Sequence, residues 1–271
     1  MPELPEVETI VRGLADALPG ARIRRVEVAR PDLVEGESPE AFAKALKGKE
    51  IRSVTRRAKN IVVDLGAGYL LVNLGMTGRL LTAAKKDETA PYLGVRMELD
   101  GGRELRYHDV RRFGRLWRMT EEEWRGWEGT LGIEPLSDEF TPGYLFDLTR
   151  RSRVEVKTWL MDQRRVVGVG NIYASEALFR AKVDPRRPAN SLTKAEAKRI
   201  RDGVRAVLRE AIEFRGTTLL DYRDSSGEPG EFVKRLRVYD REGEPCVVCG
   251  TPVTRIVQAG RSTFFCEKCQ D

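Results

Sequence analysis

Four cysteines stand at Cys246, Cys249, Cys266 and Cys269, as two Cys-x2-Cys pairs separated by sixteen residues. That is the two-knuckle spacing in which four thiolates close a tetrahedron around zinc, and with no open coordination position one such Zn2+ is structural. Paired cysteines confined to the last tenth of a chain cannot staple its bulk as the disulfides of small secreted scaffolds do. The opposite end carries a second reactive pattern, Pro2-Glu3 followed by Glu6 and Glu8. With Met1 removed, Pro2 presents a terminal secondary amine. A terminal amine has a reference pKa of about 7.7 to 8.0 against about 10.4 for lysine, so its neutral, nucleophilic fraction near pH 7 is larger by roughly a few hundredfold. A helix beginning at Pro5 would favour the neutral amine through the positive end of its dipole, whereas Glu3 and Glu6 would favour the protonated one.

The 271 residues leave room for two modest domains, each with its own core. Lys and Arg number 48 against 42 Asp and Glu, a net charge of +6 that suits a polyanionic partner such as nucleic acid or a membrane surface. No run of eighteen apolar residues appears, and the first residues lack a basic region followed by an apolar stretch. A membrane span and a secretory leader are therefore not expected, and a cytoplasmic location is.

Val7, Ile10, Val11, Leu14 and Leu18 fall at helical spacing behind Pro5, which predicts a helix over about 5–18. Short β-prone runs follow at 23–28, 51–55, 61–65, 69–74, 95–99, 104–107 and 115–119, with hairpin turns at 66–68 and 100–102. The first half reads as a mainly antiparallel sandwich or barrel with a leading helix. Thr120 and Glu123 make a capping-box pattern, and 131–137 reads as an extended linker. Beyond it the pattern turns helical. Thr141-Pro142 is a start signal; Thr193 with Glu196 opens a helix whose apolar face is Ile200, Val204, Val207, Leu208, Ala211 and Ile212, ended by Gly216. Lys198, Arg201, Arg205 and Arg209 on another face of it read as a solvated stripe.

The segment MPELPEVET at 1–9 resembles the opening of the bacterial formamidopyrimidine-DNA glycosylases, a family that also includes endonuclease VIII. Further matches come in family order: RRAKN at 56–60, LGMTGRL at 74–80, DVRRFG at 109–114, WLMDQRRVVGVGNIYASEALF at 159–179, GTTLLD at 216–221, and GRSTFFC beside the zinc cysteines. The resemblance implies an α+β chain: an N-terminal β-sandwich with a leading helix over 1–130, a linker at 131–141, a helix-two-turn-helix domain over 142–236 and a zinc β-ribbon over 237–271. It also implies a monomer that binds damaged double-stranded DNA at the bacterial nucleoid and not a membrane.

Pro2 then becomes the nucleophile toward a nucleotide sugar. Attack on C1' expels the base and leaves an iminium, a cation that acidifies the C2' proton, so that elimination of the 3' phosphate follows. By resemblance Glu3 shuttles protons at the sugar, Lys59 aids catalysis and Arg261 completes the catalytic set, while Glu6 supports the same site and joins the DNA-binding residues. A target base must leave the stack, at a cost of about a few kcal/mol, and the gap must be filled. The family wedge falls on Met76, Arg111 and Phe113. By residue type alone, Met76 and Phe113 are core residues. Asn171 matches a phosphate-binding asparagine, at a helix start where free N–H groups favour an anion, though asparagine there is commonly only a cap. Lys157 aligns with a family basic residue, and Tyr92 occupies the place of a DNA-contacting histidine. The ribbon tip is expected to carry Arg261-Ser262-Thr263 toward backbone phosphates. His108, the sole histidine, reads as structural.

Three positions depart from the common family form: Asn60 follows Lys59 where tyrosine is usual, Tyr92 replaces the histidine, and Leu220 replaces a lysine. The expected activity is excision of oxidised purines, 8-oxoguanine and formamidopyrimidines, with β,δ-elimination at the abasic site. The alternatives are the endonuclease VIII branch, which acts on oxidised pyrimidines and opens PEGPE rather than PELPE, and a catalytically silent damage-binding protein. Pro2, Glu3 and Lys59 speak against the second.

Overall fold

Pro5 suits the first turn of a helix because its missing N–H has no intrahelical partner there. The chain forms α1 (Leu4–Ala17) at that point, with Val7, Ile10, Val11 and Leu14 all buried on one face. The computed structural model describes residues 2–84, 91–219 and 222–271. After α1 come β1 (Ile23–Val28), α2 (Pro39–Leu46), β2 (Ser53–Arg57), β3 (Asn60–Asp64), β4 (Tyr69–Asn73), β5 (Gly78–Ala84), β6 (Leu93–Leu99), β7 (Arg103–Asp109), β8 (Arg115–Met119) and α3 (Glu121–Glu128). Two four-stranded antiparallel sheets result, ordered β1-β6-β7-β5 and β2-β3-β4-β8. Ile23, Leu80, Val95, Leu105 and Tyr107 from one sheet and Val54, Ile61, Val63, Val72 and Leu116 from the other share a core with the apolar face of α1. This is the expected sandwich with its leading helix.

Two elements of this half escape the periodicity. In β5 the sequence GRLLTAA sets Leu80 beside Leu81 and so hides the two-residue alternation of a half-buried strand. Eight-residue α2 buries only Phe42 and Leu46, too few for a periodic signal, although Ser38 caps it by accepting from Ala41 N at 3.2 Å. The capping box at Thr120 and Glu123 forms as expected, with Thr120 Oγ1 accepting from Glu123 N and Glu123 accepting from Thr120 N.

The chain divides into two compact units, 1–129 with 214–231, and 130–213 with 232–271. Residues 214–231, read from sequence as part of a 142–236 domain, thus pack with the first unit. The cause is visible in their contacts: Thr217 N and Tyr222 Oη both bond to Glu6, and Thr82 N bonds to Ser225 O.

In the second unit, Thr141 caps α4 (Pro142–Thr149) through Tyr144 N at 3.1 Å, and α5 (Val156–Leu160), α6 (Asn171–Ala181) and α7 (Lys194–Glu213) follow. Every residue of the expected apolar face of α7 is buried. That face packs on α4 and α6. Thr193 and Glu196 close its capping box, Thr193 N donating to Glu196 Oε2 at 2.7 Å. One member of the α7 cationic stripe is not solvated. Arg205 donates to the carbonyls of Pro135 and Ser137 and so clips the extended 131–137 segment to the helix. The unit ends in a hairpin of β9 (Thr254–Gln258) and β10 (Arg261–Phe265), paired Arg261 to Gln258. Ala259 and Gly260 between them both have positive φ, as the two-residue turn matched to strand twist requires. No helix among the described residues is long and apolar enough to cross a membrane.

Candidate active site and nucleic-acid interface

Pro2 and Glu3 lie buried immediately before α1, Glu3 with only 3% of its surface exposed. Glu6 holds them there. Its Oε2 accepts from Glu3 N at 2.8 Å, and its Oε1 accepts from Thr217 N at 2.7 Å. A carboxylate that takes two backbone N–H groups is a strong, directional acceptor, so the chain entry and the 214–231 segment are fixed against each other. Gly216 has φ +80°, and a Cβ there would meet Glu6 Oε1 at 2.8 Å. Tyr222 Oη completes the bracket by donating to the Glu6 carbonyl at 3.3 Å. Burial first, and then the nearby Glu6 charge, push the Tyr222 phenol far above its ordinary pKa, so it remains a donor at any working pH. Thr217 and Tyr222 were not singled out from sequence. GTTLLD was visible as a motif, but nothing in its residue types points 211 positions back to Glu6. Leu220 lies outside the described residues.

Lys59 is half-buried in the two-residue turn between β2 and β3, next to Ala58, which adopts φ +55°. Arg56 governs that turn. Its Nη1 donates to Ala58 O at 2.9 Å, and its Nε donates to Glu8 Oε2 at 3.0 Å. Glu8 and Arg56, which read from sequence as helix-end and strand-end charges, thus brace the lysine turn against α1. Asn60 is buried and accepts from Asn73 Nδ2 at 2.8 Å, while Asn73 Oδ1 accepts from Gly75 N at 2.9 Å. An aromatic residue at position 60 could not make this amide chain, which leads to the loop that carries Met76.

Met76 and Phe113 are 40% and 53% exposed, unusual for large apolar side chains and contrary to a core placement. Arg111 is exposed beside them, its guanidinium 4.6 Å from the centroid of the Phe113 ring. Tyr92 is also exposed and takes φ +64°. His108 is buried, with Nδ1 3.2 Å from Pro91 O, and desolvation lowers its pKa, so it stays neutral at pH 7 in a structural position. Thr77, Arg79, His108, Tyr92 and Ser225 help to line a cavity of about 510 Å³ in this unit.

In the second unit, Asn171 is the first residue of α6, and the cap position belongs to Gly170. Its amide therefore does not cap the helix. Asn171 Oδ1 accepts from Lys157 Nζ at 2.5 Å, and Nδ2 donates to Ser262 O at 2.9 Å. Lys157 is only 2% exposed and also donates to Ser262 O at 2.9 Å and Thr263 Oγ1 at 2.8 Å. Its ammonium is thus directed at protein oxygens rather than outward. Thr263, expected at a phosphate-facing tip, is fully buried on this lysine; the tip itself is Ala259-Gly260, with Arg261 exposed beside it. Sequence reading also passed over Glu176, whose Oε1 accepts from the backbone N–H groups of Arg237, Val238 and Tyr239 at 2.9 to 3.0 Å. Burial raises its pKa, and those three N–H groups oppose the rise.

The sulfurs of Cys246, Cys249, Cys266 and Cys269 lie within 4.8 Å of one another. Cys249 and Cys266 are 3.5 Å apart and Cys246 and Cys269 3.9 Å, far beyond a disulfide bond. Tetrahedral zinc with bonds of about 2.3 Å sets its sulfurs about 3.8 Å apart. Four thiols so placed, beneath Phe264, Val253 and Val238, suit one structural zinc.

Three family models match in order: the formamidopyrimidine-DNA glycosylase N-terminal domain over residues 1–116, the H2TH domain of the same glycosylase over 131–222, and a zinc finger found in FPG and IleRS over 243–271. A formamidopyrimidine-DNA glycosylase of Serratia proteamaculans is 44% identical over 270 residues, covering 100% of each chain. One of Pelotomaculum thermopropionicum is 41% identical, covering 100% of this chain and 99% of its own. The crystal structure of the FPG protein of Thermus thermophilus superposes with a TM-score of 0.88 at 43% identity, covering 99% of this chain and 98% of that one. A Lactococcus lactis FPG mutant in complex with a Fapy-dG containing DNA gives a TM-score of 0.93 at 30% identity, with 99% of each chain covered. On this full-length likeness, and with its zinc cysteines and N-terminal proline in place, the chain belongs to the formamidopyrimidine-DNA glycosylase family.

Proposed function

We propose that this protein excises oxidised purines, formamidopyrimidines and 8-oxoguanine, from duplex DNA and then cleaves the abasic site by β,δ-elimination. The observation that carries this reading is the buried N-terminal turn, in which Glu6 holds Glu3 N at 2.8 Å and so fixes the residue beside Pro2. The names and the DNA-bound structure of the relatives support the substrate class.

With Met1 removed, Pro2 N attacks C1' of the damaged nucleotide. The glycosidic electron pair leaves with the base, which takes up a proton, and the amine loses its own; the C1'–O4' bond then opens, O4' taking up a proton from Glu3, and the nitrogen lone pair forms the C1' iminium. Loss of a C2' proton into that electron sink expels the 3' phosphate, and a second elimination expels the 5' phosphate. Glu3 exchanges protons at the ring oxygen O4' and at C2'. Lys59 and Arg261 add positive charge and proton donors for the leaving phosphates. Met76, Arg111 and Phe113 fill the stack vacated by the base, and Asn171 holds a backbone phosphate at the α6 start. Zinc takes no part in these steps; it shapes the ribbon that carries Arg261. The place of action is the bacterial cytoplasm, at the nucleoid.

Single-turnover cleavage of duplexes bearing 8-oxoguanine or thymine glycol tests the substrate class. Faster turnover of 8-oxoguanine is expected; the reverse order would move the protein to the pyrimidine branch.

A further inference from the structure

Met76, Arg111 and Phe113 occupy two loops that share one buried carboxylate. Asp109, at the end of β7, is 3% exposed. Its Oδ1 accepts from Thr77 Oγ1 at 2.5 Å and from Arg111 N at 3.2 Å. Its Oδ2 accepts from Gly114 N at 2.8 Å and from Tyr107 Oη at 3.3 Å. Arg111 N also donates to Thr77 Oγ1 at 3.0 Å, so the Thr77 hydroxyl both gives to the carboxylate and receives from the loop. Tyr107 Oη reaches the Asn73 carbonyl at 3.2 Å, at the other end of the Met76 loop.

The two loops also meet backbone to backbone. Gly75 has φ +54°, and a Cβ there would lie 2.5 Å from Gly114 N and from the Phe113 carbonyl carbon. A Cβ on Gly114 would lie 2.6 Å from Asn73 O. Arg112, between the two wedge positions, takes φ +56°, a strained choice for a non-glycine residue that its neighbours must hold in place. Exposed, apolar Phe113 has little packing of its own to fix it. Its position is set from below, by the hydrogen bonds that close the 109–114 loop.

We propose that Asp109 and Thr77 are positioning residues that lock the wedge loops into their inserting geometry before DNA arrives. This rests on the reading of Met76, Arg111 and Phe113 as the wedge. Neither residue touches the sugar chemistry; each acts through the loop. A carboxylate suits this place because it can accept from four donors at once, which no neutral side chain of similar size can do. A preorganised loop spends no binding free energy on its own ordering at the moment a base is unstacked. Their effect should therefore be large where a base must leave the stack and small where no base is present.

The test pairs two substrates with two substitutions at one position. Thr77→Val keeps the shape and removes the hydroxyl, and Thr77→Ser keeps the hydroxyl; each is assayed on a duplex with an 8-oxoguanine·cytosine pair and on the same duplex with an abasic site. Thr77→Val should slow excision from the intact pair by about tenfold while changing abasic-site cleavage by less than about twofold to threefold. Thr77→Ser should match the wild type on both. Amide hydrogen exchange at Arg111 and Gly114 should quicken in Thr77→Val and in Asp109→Asn but not in Thr77→Ser. Equal losses of Thr77→Val on both substrates, no loss on either, or unchanged exchange at both amides would overturn the proposal. Phe113→Ala separates it from the wedge reading on which it rests. If Phe113→Ala leaves the ratio between substrates unchanged, the wedge assignment fails; if it shifts the ratio and Thr77→Val does not, only the positioning role fails.

Discussion

Thr217 donates its backbone N–H to Glu6 Oε1 at 2.7 Å, joining residues 211 positions apart in the chain. The other oxygen of the same carboxylate holds Glu3 N at 2.8 Å. One side chain therefore couples the residue beside Pro2 to a segment near the far end of the sequence.

Glu6→Gln should loosen that coupling. A carboxamide has one acceptor oxygen and turns an NH2 toward the other N–H donor, a cost of about 1 to 3 kcal/mol. The expected outcome is a lowered thermal midpoint and a larger loss in single-turnover base excision than in equilibrium DNA binding. Gly216→Ala, which forces a Cβ against Glu6 Oε1 from a positive φ, should produce the same pattern. Equal losses in excision and binding would count against a role at the chemical site.

Lys157→Met should weaken DNA binding although the lysine is buried. It strips a donor from Asn171 Oδ1, Ser262 O and Thr263 Oγ1, at about 1 to 3 kcal/mol of stability, and leaves the Asn171 amide held through Nδ2 without its Oδ1 partner Lys157. Affinity should fall on duplexes of any sequence, as for Asn171→Ala, with zinc content unchanged. A Lys157→Met protein that keeps the wild-type affinity would separate the lysine from the phosphate site.

Zinc removal should unfold the 246–271 hairpin and reduce DNA affinity, because thiolate–metal bonds supply folding free energy to so small a ribbon. A chelated protein, verified metal-free, that retains circular dichroism and DNA binding would contradict the structural role.

Acid should destabilise the second unit through Glu196. Burial raises its pKa, but hydrogen bonds from Arg187 and from Thr193 outweigh that and bring the carboxyl down from 4.5 to about 2. A folded value below the unfolded one gives stability that is present above about pH 4.5 and is lost as pH falls toward 2, about 3 kcal/mol in all. Glu196→Gln should lower the midpoint at pH 7 and flatten the decline between pH 4.5 and 2. An unaltered acid limb would show that the pair with Arg187 contributes little.

Much of this was legible in the sequence, and the reason is physical. Periodicity reports burial, so α1, the apolar face of α7 and most strands could be read directly; cysteine spacing reports coordination geometry, so the zinc site could too. Long-range hydrogen bonds leave no periodic trace. Nothing in GTTLLD announces Thr217 as a partner of Glu6, nothing in RRAKN announces that Arg56 braces the lysine turn, and Thr77 is an ordinary turn residue until Asp109 is placed beside it. Lys157 and Thr263 are the complementary case: their residue types suggest solvent and phosphate, whereas the fold turns both inward.

The central claim is that Pro2 is the nucleophile. The most direct measurement is borohydride reduction of the protein with duplex bearing 8-oxoguanine, followed by peptide mass mapping of the product. The expected result is a covalent DNA adduct on the N-terminal peptide at Pro2, with Met1 absent. No adduct, or an adduct mapped to Lys59 with Pro2 unmodified, would contradict it.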